Sequence, residues 1–368
     1  MKKNLKIAFV NFYSGLASRG GETFVDSLAS ELTKQHDVIL FQGGSADEKR
    51  YVIKSVNFTY DQEHPHLKLA NTHLLKKLFL DYSSIKVLLF TLKIIPDLFT
   101  LRPSVIYSTD SGWEIAILRI VSWILKAKLL VSGQSGPGWN DRVNLFFHPD
   151  VFIALTQTQS QWASKATLWK KQKIVVIPNG VDINRFKPLG NSYSHGLNHP
   201  IILSVGAAIK SKRILDTIKA VSLISNASLL VVGTGPNENF EDSSATKLLG
   251  NRYKRIKVKH SEMPSIYRSA DVFTLCSDST EAFGIVYLEA LATGLPCVVM
   301  DDLSRREILG EAGNYVSDPT DTHEYAEQLQ RAIKSHSADQ SINRARSFSW
   351  TEITRQYETL FSDLLKTR

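Results

Sequence analysis

Cysteine is nearly absent from this chain of 368 residues: Cys276 and Cys297 are the only two, and both lie in apolar, strand-like runs, VFTLC and CVVM. A disulfide framework and a cysteine-based zinc site are thereby excluded, and two reduced, buried thiols of a cytoplasmic protein are expected. Equally missing is the GxxxxGK[ST] cradle of P-loop NTPases. No DxD pair of the metal-clamping kind occurs, nor any local Ser-His-Asp or Cys-His arrangement. The segment GTGPNE (233–238) imitates the start of a dinucleotide fingerprint but lacks the third glycine, and Pro236 occupies a helix position. His64-Pro65-His66 is the nearest approach to a metal motif, and two histidines around a proline in a polar stretch read as a loop. Neither a cofactor nor a metal is expected. Apolar runs long enough to cross a bilayer are missing too, since Lys93, Pro96 and Asp97 interrupt residues 85–99, and Glu114, Arg119, Lys126 and Lys128 interrupt residues 113–131. The opening MKKNLKIAFVNF is broken by Asn4, Lys6 and Asn11 and reads as a buried first strand rather than a signal peptide.

What is present is an ordinary globular composition, 43% hydrophobic and 22% charged. The length exceeds what one core usually serves, so two domains are expected. The formal charge of +8 is unevenly spread. Residues 1–190 hold 24 Lys and Arg against 15 Asp and Glu, a net of +9, whereas residues 191–368 hold 20 against 21, a net of −1. A basic half faces phosphate, nucleic acid or an anionic membrane, but clustered aromatic-basic motifs for nucleic acid are lacking. Residues 74–99 mix Leu, Ile and Phe with Lys76, Lys77, Lys86 and Lys93. This segment reads either as an interfacial helix or as a core helix with solvated lysines.

Apolar runs of four to eight residues alternate with amphipathic stretches in both halves, starting with KIAFVNF, ETFVDSLASELTKQ and DVILFQG and restarting with PIILSVG, RILDTIKAVSLIS and SLLVVGTG. This is the pattern of α/β domains with parallel, doubly wound sheets, whose ligands bind beyond the carboxyl ends of the strands. Residues 184–199 lack periodicity and contain several turn formers, so they read as a linker. Two Rossmann-like domains follow, residues 1–190 and 196–350, and they would face each other across a cleft. The terminal helix, 351–368, has apolar residues to bury and could cross back onto the first domain.

The chemistry concentrates in SDSTEAFGIVYLEALATGLP (277–296). Apolar spacing from Phe283 and the Gly294/Pro296 stop signal predict one helix beginning near Glu281. Glu289 would then lie ~12 Å further along its axis. The amides of Phe283, Gly284 and Ile285 would form an anion site between the two acids, suited to a diphosphate flanked by a sugar and a ribose. By themselves the residues also allow a plainer reading, with Glu281 favouring the helix dipole and Glu289 on a solvated face. SVGAAIKSKR (204–213) places Lys210, Lys212 and Arg213 just past a strand, and Ser18-Arg19-Gly20-Gly21-Glu22 follows the first strand. Both suit phosphate, and both could equally be a helix start or a turn.

Taken in order, the motifs resemble the GT-B glycosyltransferases, in particular the large retaining group called family 4. The carrying residues are E-x7-E from Glu281 to Glu289 with ALATGLPCVV after it, IPNGVD (177–182) with RFKP, VGTGP (232–236), YRSADVF (267–273) and FSW (348–350). The resemblance runs from about residue 5 to the C-terminus. It implies a retaining, metal-independent transferase working from a nucleoside diphosphate sugar, UDP or GDP. It places Glu281 at the donor sugar and the amides of Phe283, Gly284 and Ile285 at the diphosphate. Glu289 falls at the ribose, Lys212 at the diphosphate, and Gly20 and Gly21 near the donor phosphate and the acceptor. Gly206 stands where the family has the glycine of a Gly-Arg pair, but Ala207 replaces the arginine, with Lys210 or Arg213 as possible substitutes. Gln134 stands where the family often has an acceptor-side histidine. The expected acceptor is a lipid-linked or polysaccharide intermediate of bacterial envelope assembly, met at the inner face of the cytoplasmic membrane. Two alternatives share the fold: a non-catalytic binding or scaffold protein, and a nucleotide-sugar epimerase.

Overall fold

The computed structural model describes residues 4–17, 20–45, 51–58, 73–167, 171–335 and 337–366; His64-Pro65-His66, Ser18 and Arg19 lie outside them. The chain divides into two compact units, Met1–Pro178 with Ile353–Arg368, and Asn179–Glu352.

The first unit is built on strands β1 (Lys6–Asn11), β2 (Asp37–Gln42), β3 (Val52–Ser55), β4 (Val105–Ser108), β5 (Lys128–Ser132), β6 (Val151–Ala154) and β7 (Ile174–Val176). They form a parallel sheet in the order β3-β2-β1-β4-β5-β6-β7. Every residue of β4 and β6 is buried, as expected for strands covered by helices on both faces. Phe12, Phe41, Phe90, Ile94, Leu98, Ile115 and Leu118 belong to one continuous core beneath the helices Tyr82–Leu101 and Trp113–Leu125. Asp81 starts the first of these as an N-cap, accepting from Ser84 N and from Ser84 Oγ, the latter at 2.6 Å. The terminal helix Trp350–Lys366 contributes to this unit: Tyr357 OH meets Tyr107 OH at 2.8 Å, and Glu358 meets His36 Nε2 at 2.9 Å.

The second unit carries β8 (Ile201–Val205), β9 (Ser228–Val232), β10 (Tyr253–Ile256), β11 (Val272–Leu275), β12 (Cys297–Met300) and β13 (Gly313–Val316). The order β10-β9-β8-β11-β12-β13 is again parallel, with the order reversing beside the unit's first strand. Both cysteines are free and buried, and burial pushes the Cys276 thiol up to about 12. The stretch 184–199, read as a linker, is fastened to this unit: Arg185 donates to the carbonyl of His260, and Tyr193 N donates to Ser265 O at 3.0 Å. Just ahead of it, Val181 bridges Ser349.

Candidate functional site

The reversal between β8 and β11 opens the crevice at which ligands bind in sheets of this kind. Two loops leave the strand ends there, residues 206–213 and 276–284. Asp278 N donates to Ser211 O at 2.8 Å, and Lys212 Nζ forms an ion pair with Glu281. Backbone and side chain thus join the two loops. The paired side chains are only 21% and 15% exposed, so the charges sit at the edge of water rather than in it.

Glycines shape the first loop. A Cβ on Gly233 would lie 2.2 Å from the carbonyl oxygen of Gly206, and one on Gly235 would lie 2.8 Å from that of Ala208. The GTGP segment therefore lays its backbone directly on Gly206–Ala208, where Ala208 N donates to Thr234 O at 3.1 Å. Close approach is the reason for its glycines. Ala207 and Lys210 are exposed at this mouth, while Arg213 is partly buried with a left-handed φ of 54° ahead of the helix Ile214–Ser222.

The second loop is held from below by Arg305, a residue the sequence reading did not single out. The residue is 2% exposed, and its guanidinium donates to Ser277 O at 2.7 Å, Ser277 Oγ at 2.8 Å, Asp278 O at 3.1 Å and Tyr287 OH at 3.2 Å, and pairs with Asp302. This fork fixes the backbone from which Glu281 hangs.

One expectation needs correction. The helix spans Ile285–Ala292, so Glu281 precedes it by four residues and the axial spacing derived for a single helix does not apply. Gly284 is the cause. Its φ is 81°, outside helical space, and a Cβ there would lie 2.3 Å from the Tyr287 ring. The helix N-terminal amides without an intrahelical partner accordingly begin at Ile285 and Val286. Those of Phe283 and Gly284 belong to the approach, where the buried Phe283 ring packs edge-on to Phe348 at 6.2 Å.

Glu289 is 4% exposed, so the solvated-face reading is also overturned. Its Oε1 meets His260 Nε2 at 2.9 Å, and Oε2 accepts from Tyr267 OH at 2.8 Å. Burial first, and the nearby Glu289 charge second, hold the Tyr267 hydroxyl well above its ordinary value, so it remains a donor. Phe186 packs against both the His260 and Tyr267 rings at 5.9 Å. Arg185 and Phe186 of the RFKP motif and Tyr267 of YRSADVF thus support Glu289. His260 carried no sequence signal.

Gly206, Lys212, Arg213, Glu281, Phe283, Gly284, Ile285 and Glu289 all belong to this unit; Gly20, Gly21 and Gln134 belong to the other. Gly20 and Gly21 open the helix Gly20–Leu32, and nothing lies within 4 Å of a Cβ placed on Gly21. The tightest glycine contact among the described residues of the first unit is between Gly15 and Gly44, where a Cβ on Gly44 would lie 2.0 Å from the Gly15 carbonyl carbon. Gln134 is half-buried just past β5 and donates its side-chain amide to Ser132 Oγ at 3.1 Å. A buried polar group surrounds that strand end. Ser108 Oγ donates to Glu114 at 2.5 Å, and Gln159 Nε2 bonds both Asp141 at 3.1 Å and Gly133 O at 2.7 Å. Glu114 and Asp141 are both held well above the ordinary carboxyl range, chiefly by burial.

Two parallel sheets, each reversing its strand order beside its first strand and the second carrying a Lys–Glu site at that reversal, define the GT-B fold of glycosyltransferases. The structure of Anabaena HepE in complex with UDP and glucose shares this fold, with a TM-score of 0.74 at 19% identity over 98% of this chain and 100% of that one. Residues 191–348 match the family model of glycosyl transferases group 1. N-acetyl-alpha-D-glucosaminyl L-malate synthase of Bacillus anthracis is 28% identical over 193 residues, 48% of this chain and 49% of its own. Phosphatidyl-myo-inositol mannosyltransferase of Mycobacterium tuberculosis is 29% identical over 177 residues, 46% of each chain. The chain thus spans about half the length of the curated relatives it matches.

Proposed function

We propose that the protein is a retaining glycosyltransferase that moves a sugar from a UDP- or GDP-sugar to a lipid-linked or polysaccharide acceptor of bacterial envelope synthesis. It would work in the cytoplasm, at the inner face of the membrane. The observation that carries this reading is the Lys212–Glu281 pair beside the amide end of Ile285–Ala292, with Glu289 set in its own buried cluster on the same helix. Lys212 and the Ile285 and Val286 amides supply positive charge for a diphosphate without a metal, which is where charge grows as the sugar departs. Beyond Lys212, Lys210 and Arg213 are the cations nearest in sequence to Ala207. Glu289 retains lone pairs for ribose hydroxyls beyond those used by Tyr267 and His260. Glu281 addresses the donor sugar once the diphosphate draws Lys212 away. In the transfer the bond from the anomeric carbon to the phosphate oxygen breaks. The acceptor oxygen bonds to the same face, and its proton passes to the departing phosphate. Gly20, Gly21 and Gln134 would serve the acceptor side. The UDP and glucose held by the structural relative and the phosphatidyl-myo-inositol named for the mycobacterial relative support the donor and acceptor classes.

The test is a panel of UDP- and GDP-sugars incubated with a mixture of lipid-linked and polysaccharide acceptors, with products read by mass spectrometry and anomeric configuration by NMR. Acceptor-dependent nucleoside diphosphate release that Glu281→Gln abolishes is expected. Donor conversion without acceptor would make the protein an epimerase, and donor binding without turnover a binding protein.

A further inference from the structure

Twelve of the eighteen large hydrophobic side chains exposed among the described residues fall within 74–146, all in the first unit. Scattered apolar residues need no explanation, but a concentration on one region does. On the helix Tyr82–Leu101 the outward stripe is Leu89, Leu92 and Phe99, opposite the buried Phe90, Ile94 and Leu98. On the neighbouring helix Trp113–Leu125 it is Ile120, Trp123 and Ile124, the last two 63% and 61% exposed. Both helices follow the helical period on two faces at once, which is why they read as nearly continuous apolar runs. Trp113 and Trp139 turn their indole N–H groups to the carbonyls of Phe79 and Lys77, at 2.7 and 2.8 Å, and leave their rings partly in water. These bonds tie the segment bearing the exposed Lys76 and Lys77 to the same surface.

A cavity of about 590 Å³ opens at the C-terminal end of the second helix, lined by Arg119, Trp123, Lys126, Lys128 and Asp150 among others. Asp150 meets Arg119 at 2.8 Å and Lys128 at 3.6 Å. Three cations against one carboxylate leave it net positive. Trp123 covers the Arg119 guanidinium at 4.8 Å, and the Arg119 Nε is buried without a hydrogen-bond partner. Residues 73–128 hold eight Lys and Arg against four Asp and Glu, a net of +4. No helix among the described residues is long and apolar enough to cross a membrane.

We propose that this face of the first unit is an interfacial docking surface for an anionic lipid bilayer. The Leu89–Phe99 and Ile120–Ile124 stripes enter the headgroup boundary, and the Arg119–Lys126–Lys128 cavity receives a lipid phosphate. Apolar stripes, tryptophans and flanking lysines are the combination that holds a helix in the plane of a membrane rather than through it. Each lysine near an anionic surface adds about 1 kcal/mol, roughly fivefold in partitioning. The inference gives residues to the membrane part of the reading above and rests on that reading only for the inner-face placement.

The experiment is co-sedimentation of the full chain with vesicles of phosphatidylcholine alone or mixed with phosphatidylglycerol, at low and high salt. Binding to the anionic vesicles, weakened by salt, is expected. Trp123→Glu with Ile124→Glu should lower it by about tenfold or more, and Lys126→Glu by about fivefold to tenfold. Thermal stability and UDP affinity should not change in either variant, since all three positions are exposed and lie outside the donor unit. No binding to anionic vesicles overturns the proposal, as does binding that the double substitution leaves intact. A concentration-dependent dimer that the double substitution dissolves also overturns it, by showing that a second copy covers the face. Turnover on a water-soluble acceptor, preserved when vesicle binding is lost, separates failure of this inference from failure of the glycosyltransferase reading.

Discussion

Replacing Lys212 by alanine removes a cation at the reversal of the second sheet and leaves Glu281 beside the position proposed for the diphosphate. At roughly 4 Å and an effective dielectric near 20, an ammonium and one phosphate charge attract by about 4 kcal/mol. The side chain is 21% exposed, so some of that is screened, and part is already engaged with Glu281 before donor arrives. What counts for rate is the increment gained as charge moves onto the leaving group, typically about 2.7–4 kcal/mol for one preorganised donor, or 10²–10³ in kcat. Nucleoside diphosphate release measured at saturating donor and acceptor should therefore fall by about two to three decades. The affinity for UDP, measured by calorimetry, should weaken less, by about tenfold. The acceptor KM should not move. Glu281→Gln combined with Lys212→Ala should cost less than the two single losses together, because each single change leaves the other charge without its partner. A Lys212→Ala variant that keeps more than about a tenth of the wild-type kcat refutes this placement of charge.

Two further outcomes follow from buried groups. Arg305→Met should destabilise the protein by about 2–4 kcal/mol, since Ser277 O, Asp278 O and the Tyr287 hydroxyl lose a shared donor and Asp302 loses its charge partner. Denaturant unfolding reads this, and Arg305→Lys should not restore it because an ammonium cannot span the fork. Glu114 and Asp141 are raised above their ordinary values of 4.5 and 3.8, so between those values and their folded-state titrations the native chain binds more protons than the unfolded one. Their contribution to stability is present at low pH and lost as pH rises. Thermal melts from pH 5 to 8 should show a shallower decline in Glu114→Gln than in wild type, and an equal slope in both would count against the buried-acid assignment.

Most of the architecture was legible because parallel strands covered on both faces must be apolar throughout, and runs such as IILSV and LLVVG announce themselves. Strands β3 and β13 are less legible, standing at sheet edges and reading VIKS and GNYV. Partial exposure relieves them of the apolar requirement. Turn formers without periodicity in 184–199 signal irregular backbone, and do not say whether it is free or packed. At the site, Glu281, Lys212 and Glu289 were visible as residue types at family spacing. Their surroundings were not, since His260 and Tyr267 reach Glu289 from 29 and 22 residues away, and Arg305 reaches Ser277 from 28. The helix start was misjudged because apolar spacing continues smoothly through Gly284, whereas its positive φ is a property of the backbone alone.

The return of the last helix to Tyr107 has a bearing on how the molecule comes into being. The contact between Tyr107 and Tyr357 spans 250 residues, so the first unit cannot complete its core until the whole of the second has been made. Residues 179–352 form one uninterrupted stretch and can fold as soon as they are made, so the part encoded later is finished earlier. A truncation that removes residues 353–368 should therefore damage the first unit and leave the second intact.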